Sequence, residues 1–555
     1  MAILGVTALA ALGMVTTGLV SPAVAGQPNP PVTAGGHGER ARPDRVVVIV
    51  VDALSREIVD RYRMRNAQRL MADGVNAPNA LLGHLGSVTV VTHNVITSGL
   101  LPKHMGWVSE GYRDNGALAS KNANPYWYTS DWTAEEMFAV QKAQGSPKLA
   151  DYLHAKRPGS KVIAVSPKGY AGYGLGGPGA DSIVTFSGRN YDCDGDGVKN
   201  WRGPDGVNVP GYLSAPTCGR FYVDSSSTEY YDTNSDPAWM YPLDGDRYTN
   251  GKDPAHQGAD VWSADAAIAA MKNENWSGVF VSLPGVDKAA HMWGGVDDPG
   301  AAKDGDPITH MANATAVADA QIGKIMTYLR TSKQLDRTLV VLTADHGSVP
   351  GRNFHGINDG TINGGYTNWY YGKGANGDYD KPQPALAPMV ATGNLAMSYS
   401  DSQLSFWLKD TGAAKIKQAV GIAAKMPDVT AVWVRKGDRF VMAGKPSLGR
   451  MTPAERAWFQ RWAQTLLNTA AGPTGPDIVA TLRDDTTYSV AGDHGGIQRR
   501  AQQIPIVFAG AGLSSRDLSA PVRSVDIMPT VLRTLGIKVG ATDGIAYDLP
   551  VAHRR

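Results

Sequence analysis

Cysteine is nearly missing from this 555-residue chain, which has only Cys193 and Cys218. That excludes a disulfide-built fold and a thiolate zinc site. Net charge is scarce too: 53 Lys plus Arg stand against 51 Asp plus Glu, leaving +2. So small a balance gives no field to recruit a nucleic-acid duplex or an anionic membrane. Beyond the first 25 residues no apolar run is long enough to span a bilayer. What the chain does have is a 43% hydrophobic share, enough for a large buried core and against disorder of the whole. It also has 64 glycines and 34 prolines, above the usual combined share of roughly 12%, which predicts long irregular loops.

Residues 1–25 are an apolar stretch broken at Ser21-Pro22 and closed by Ala23-Val24-Ala25, a small-x-small cleavage pattern. They read as a signal peptide, although the segment before the apolar run carries no Lys or Arg. The Gly- and Pro-rich residues 26–43 read as a disordered leader. The expected mature protein is secreted, free of the membrane after processing, in a compartment where Cys193 and Cys218 can pair.

The run from Arg45 to Val51 is continuous and Val-rich and is followed by Asp52, the pattern of a buried central strand of an α/β sheet. Similar runs recur at 161–165, 278–283, 338–343 and 504–509, with helical patterns between them, notably 311–329 and 454–469. This alternation predicts a doubly wound central sheet with helices on both faces. Ligands of such sheets sit beyond the carboxyl ends of the strands. Residues 44–555 are therefore read as a single domain with two insertions. One spans about 185–260; the other, 351–476, is a cap-like subdomain with a hairpin pattern at 431–442.

Polar side chains cluster in sequence just past these strands. Asp52 follows the first, Asp287 and His291 the third, Asp345 and His346 the fourth, and His494 precedes the fifth. Acids and imidazoles of this kind suit Zn²⁺ and related divalent ions, and six of them would serve two metals. Thr89 precedes the apolar segment 90–97, where a starting helix would favour an anion.

The order of these residues resembles the alkaline phosphatase superfamily, most of all its type I phosphodiesterase/nucleotide pyrophosphatase branch. The resemblance starts at Ile49-Val-Val-Asp-Ala-Leu54 and runs through Asn76-Ala-Pro-Asn79. It is most specific over 87–106, where Thr89, His93, Ser98-Gly99-Leu100, Pro102 and Gly106 fall in register. It resumes at Asp287-x-x-x-His291, Thr343-Ala-Asp-His-Gly347, His494-Gly495 and the segment 524–536. The resemblance implies one metal on Asp287, His291 and His494, and a second on Asp52, Asp345, His346 and the Thr89 hydroxyl. It implies two Zn²⁺ or related ions, a phosphate-ester substrate of small-molecule size, and hydrolysis through a phospho-threonine on Thr89. His93 is read as structural.

Two departures bear on the substrate. Lys168 in Ser166-Pro-Lys-Gly-Tyr170 resembles the first cation of a Lys-x-Arg element found in monoesterase-like members, and Lys168 is read as catalytic; Tyr170 replaces the Arg. Glu110 lies near the place where many members have an Asn that donates to phosphate, with Asn115 as the alternative register. Losing the Arg weakens the monoester reading, because a dianion gains most from two flanking cations. A phosphodiester or nucleotide substrate is favoured, with alkaline phosphomonoesterase or phosphonate hydrolase as alternatives. Neither cysteine lies in a sulfatase-type Cys-x-Pro-x-Arg element.

Within the first insertion, Asp192, Asp194, Asp196, Val198 and Asn200 alternate as the oxygens of a Ca²⁺ loop do. A Cys193–Cys218 bridge would pin it, contributing about 3 kcal/mol by loop entropy. The non-enzymatic alternative is a secreted, calcium-stabilised binding protein.

Overall fold

Each Val-rich run is a strand in the computed structural model, which describes residues 42–118, 125–129, 132–191, 197, 201–214, 254–297, 310–355, 384–489 and 492–550. A nine-stranded sheet runs in the order Arg516–Asp517, Val75–Asn76, Ile506–Gly510, Thr338–Thr343, Arg45–Val51, Trp276–Leu283, Lys161–Ser166, Ser182–Tyr191, Trp201–Val207. Its centre is parallel: Val46 pairs with Gly278 on one side, and Arg45 with Thr338 on the other. Val46 to Val51 are fully buried, so each of these side chains contributes about 1.5–3 kcal/mol by leaving water. Parallel pairing requires crossovers, and these are helical. Pro254–Asn273 packs on His310–Thr331, and Thr89–Ser98 packs on Gly169–Gly176.

The sheet is mixed rather than wholly parallel. Ile506–Gly510 runs antiparallel to Thr338–Thr343 and to Val75–Asn76. A strand buried on both faces reads as the same apolar run in either direction, so its sequence carries no direction. Part of the segment expected as the first insertion also belongs to the sheet. Ser182–Tyr191 and Trp201–Val207 pair antiparallel at its edge, with register shifts around Gly188. Gly and Pro are tolerated at an edge and at bulges, and they obscure the strand pattern there. The calcium-loop residues Asp192, Asp194, Asp196, Val198 and Asn200 lie outside the described residues, as do Cys193, Cys218 and residues 1–41.

Residues 395–482 build a second, antiparallel sheet in the order Leu395–Ser400, Gln403–Leu408, Ile478–Leu482, Val429–Lys436, Arg439–Met442. The hairpin pattern at 431–442 corresponds to its last two strands, and its middle strand lies just past residue 476. Leu404, Phe406, Val432 and Ile478 share one core. The turn after Ser400 reaches the main sheet's loops, where Ser402 N–H donates to His494 O at 2.9 Å. Arg42–Arg555 forms one compact unit. No helix among the described residues is long and apolar enough to cross a membrane.

Candidate active site

Four adjacent parallel strands end side by side, and each hands a polar residue to the same place. Thr338–Thr343 leads to Asp345 and His346, Arg45–Val51 to Asp52, Trp276–Leu283 to Asp287, and Lys161–Ser166 to Lys168. Neighbouring strands lie about 4.8 Å apart, so residues distant in sequence meet here. Asp287 and His291 are one turn apart on the helix Gly285–Trp293, with His291 Nε2 3.3 Å from Asp287 Oδ1. His494 comes from the loop before the fifth run and is oriented by its Nδ1, 3.1 Å from Ser87 O.

Two groups of ligand-bearing atoms result, each with its atoms within 4.8 Å of one another: Asp287, His291 and His494, and Asp52, Asp345 and His346. The rings of His346 and His494 stack with centroids 3.7 Å apart, so the groups adjoin. Thr89 opens the helix Thr89–Ser98, and its Oγ1 lies 3.3 Å from His346 Nε2. The first N–H groups of that helix have no partner within it, leaving donors and the positive end of the dipole beside the Thr89 hydroxyl. His93, one turn on, sets the helix in place: Nδ1 is 2.8 Å from Thr89 O and Nε2 is 3.1 Å from Ser282 Oγ.

The electrostatics of the cluster call for cations. Burial first, then the charges of Asp287 and Asp345, push the Asp52 carboxyl up to about 7. Burial pushes Asp345 up to about 6. Burial acts the same way on Asp287, but His291 and Lys168 outweigh it and hold that carboxyl well below its usual range. Burial also lowers His346 and His494, keeping these two imidazoles in the neutral form that ligates metals, whereas at His291 burial is outweighed by the charge of Asp287, which raises the imidazole. Asp52 Oδ1, Asp287 Oδ1 and Asp345 Oδ2 are buried without a hydrogen-bond partner. Each such atom costs about 1–3 kcal/mol, and a divalent ion in each group would satisfy them. Three carboxylates and three imidazoles fit transition-type divalent ions.

Lys168 lies between the two ligand groups. It is fully buried, and its Nζ donates to Asp52 Oδ2 at 2.5 Å and to Asp287 Oδ2 at 2.7 Å, one carboxylate from each group. Glu110 accepts a hydrogen bond from the Tyr399 hydroxyl of the second sheet, while Asn115 is exposed. His355, which follows the Asp345-His346 motif in sequence, pairs with Asp428 Oδ2 at 2.8 Å.

With this geometry in view, comparison with known proteins is decisive on family. A model of the type I phosphodiesterase/nucleotide pyrophosphatase family matches residues 46–370. The chain belongs to that family. As a type I phosphodiesterase/nucleotide pyrophosphatase family member it is a hydrolase of phosphoester bonds, and its substrates are small-molecule phosphate esters. The family member is 24% identical to alkaline phosphatase PhoD of Zymomonas mobilis subsp. mobilis over 91% of this chain and 88% of that protein. It is 25% identical to alkaline phosphatase PhoK of Sphingomonas sp. over 26% of this chain and 27% of that protein. Wild-type alkaline phosphatase PafA has a similar fold, with a TM-score of 0.55 at 16% identity, covering 90% of this chain and 96% of that one.

The sequence offered no sign of the polar contacts beneath the Thr89 helix, because Asn94, Gln141 and Lys148 come from three separate elements.

Proposed function

We propose that this chain is an exported phosphoesterase using two zinc ions and a phospho-threonine intermediate. Asp287, His291 and His494 would hold one ion, and Asp52, Asp345 and His346, with the Thr89 hydroxyl, the other. The observation that carries the reading is the 3.3 Å approach of Thr89 Oγ1 to His346 Nε2, beside two adjoining ligand groups. Bound there, the ions would polarise phosphoryl oxygens, lower the pKa of the Thr89 hydroxyl and balance charge on the leaving oxygen. Thr89 Oγ attacks phosphorus, and the ester P–O bond breaks with its electrons going to the leaving oxygen. Water then attacks the phosphorus of the Thr89 adduct, freeing the Thr89 hydroxyl and releasing a phosphomonoester from a diester substrate or inorganic phosphate from a monoester. The helix Thr89–Ser98 aims its first N–H groups at the phosphoryl oxygens. Lys168 contributes positive charge between the two ligand groups.

A phosphodiester or nucleotide substrate is favoured by Tyr170 at the position of a second cation. A phosphomonoester is the second reading, supported by Lys168 and by the relatives named alkaline phosphatases. Export and a Ca²⁺ site on Asp192, Asp194, Asp196, Val198 and Asn200, stapled by Cys193 and Cys218, belong to the same proposal. So does the role of 351–476 as a cap that selects the leaving group.

The mechanism is tested with Thr89→Ala, which should abolish turnover with metal content still near two per chain. Unchanged turnover would overturn it. Rates on a phosphomonoester, a phosphodiester and a phosphonate, each with and without chelator, settle the substrate. A monoester rate about a hundredfold above the diester rate would reverse the preference for a diester.

A further inference from the structure

Two helices carry the groups on either side of the reaction centre. Thr89 opens Thr89–Ser98, and Lys168 precedes Gly169–Gly176. They pack closely: a Cβ on Gly174 would lie 2.8 Å from Asn94 Nδ2 and 3.1 Å from His93 Cβ. At this crossing lies a set of buried polar groups without contact to either ligand group. Asn94 Oδ1 accepts from Lys148 Nζ at 2.8 Å and from Gln141 Nε2 at 2.6 Å. Both donors also reach the far helix. Lys148 Nζ donates to Gly174 O, and Gln141 Nε2 donates to Tyr173 O at 3.4 Å. Asn94 Nδ2 in turn donates to Val90 O, next to Thr89, at 2.9 Å. Lys148 is only 3% exposed, and such a group is retained in an interior only with its partners in place.

We propose that Lys148, Asn94 and Gln141 form a polar bracket that fixes the Thr89 helix against the Lys168 helix, making Lys148 a positioning residue for phosphoryl transfer. The inference rests on the reading of Thr89 as nucleophile and of Lys168 as part of the reaction centre. The bracket holds the middle of the Thr89 helix to the last turn of the helix after Lys168. A shift there is carried along two rigid helices to Thr89 and Lys168, and displacements of about 1 Å at reacting groups are felt as large rate losses. Lys148 and Gln141 share the acceptor Asn94 Oδ1, so removing one donor loosens the bracket and removing Asn94 releases it.

The test is a double-mutant cycle on the metal-loaded enzyme. Lys148→Met should lower kcat about tenfold with metal content unchanged and KM within about twofold. Asn94→Leu should match it, whereas Asn94→Asp, which keeps the shared acceptor, should restore most of the rate. Gln141→Leu, at a partly exposed position, is the mild variant if Lys148→Met fails to fold; it should lower kcat two- to threefold or so. In a Lys168→Ala background, Lys148→Met should add little further loss, since coupled residues are not additive. Full additivity with Lys168→Ala, or wild-type kcat in Lys148→Met and Gln141→Leu, would overturn the bracket. Wild-type turnover of Lys168→Ala alone would instead overturn the underlying reading of Lys168.

Discussion

Lys168 Nζ lies 2.5 Å from Asp52 Oδ2, at the heart of a fully buried acid cluster. The same ammonium reaches Asp287 at 2.7 Å, so one lysine spans the two groups that would each hold a metal. Burial disfavours its charge, but Asp287 and Asp52 outweigh burial and hold it well above the ordinary lysine value. Lys168 is thus an internal counter-ion as well as a candidate for contact with substrate.

Lys168→Met should therefore harm the protein most when metal is removed. Without a cation, two buried carboxylates lose their partner, a change that costs about 3–5 kcal/mol in comparable buried pairs. With divalent ions bound to the acids the loss should be much smaller. Urea unfolding of wild type and variant, with zinc and with chelator, checks this. An equal loss in both conditions would show that the ammonium and the metals do not share the acids.

Gly492 offers a second test of how the Asp287 group is assembled. It adopts φ +64°, and a Cβ there would run into the carbonyl oxygen of Ala290, the residue before His291. Gly492→Ala should push the His494 loop away from the helix Gly285–Trp293. The left-handed conformation alone costs a non-glycine residue about 1–2 kcal/mol. The expected outcome is a metal content falling toward one per chain, measured by elemental analysis after gel filtration. Thr89→Ala, which touches no loop packing, should keep both ions.

Asp52 shows why much of the site is legible in the sequence. A Val-rich run ending in an acid is a buried strand with a carboxylate at its carboxyl end, and strand neighbours bring such ends together. Asp287 and His291, one helical turn apart, carry the same kind of local signal. The direction of Ile506–Gly510 is not legible, because burial on both faces erases the alternation that would reveal it. Nor is the bracket on Asn94. Lys148 and Gln141 meet it across 54 and 47 residues of chain, through single contacts that no spacing rule anticipates. Lys168 is an intermediate case: its nearness to the site follows from its place after a strand, while its bridging of Asp52 and Asp287 appears only in three dimensions.

Lys148 also predicts a pH dependence of stability. Burial pulls its ammonium down from 10.5 to about 7. Between these values the unfolded chain binds more protons than the folded one, so stability rises with pH. The penalty is complete below about pH 7 and relieved above about 10.5. Comparing wild type with Lys148→Met removes other titrations from the difference. The wild type should gain about 2–3 kcal/mol relative to the variant between pH 7.5 and 9.5, or about 1.4 per pH unit. Parallel stability curves over that range would mean that Lys148 keeps its proton when folded.

His84 should act at the acid end. It is fully buried, and its carbonyl accepts from Gln502 Nε2 at 2.8 Å. Burial lowers its imidazole from 6.5 to about 3. The unfolded chain therefore takes up a proton that the folded chain refuses as pH falls through 6.5, and stability drops until about pH 3. His84→Leu removes this proton uptake. Relative to wild type, the variant should gain about 2 kcal/mol on going from pH 7 to pH 5, whatever its offset at neutral pH. Unfolding in urea at the two pH values measures that difference directly. A constant offset between the two proteins would place the acid sensitivity elsewhere.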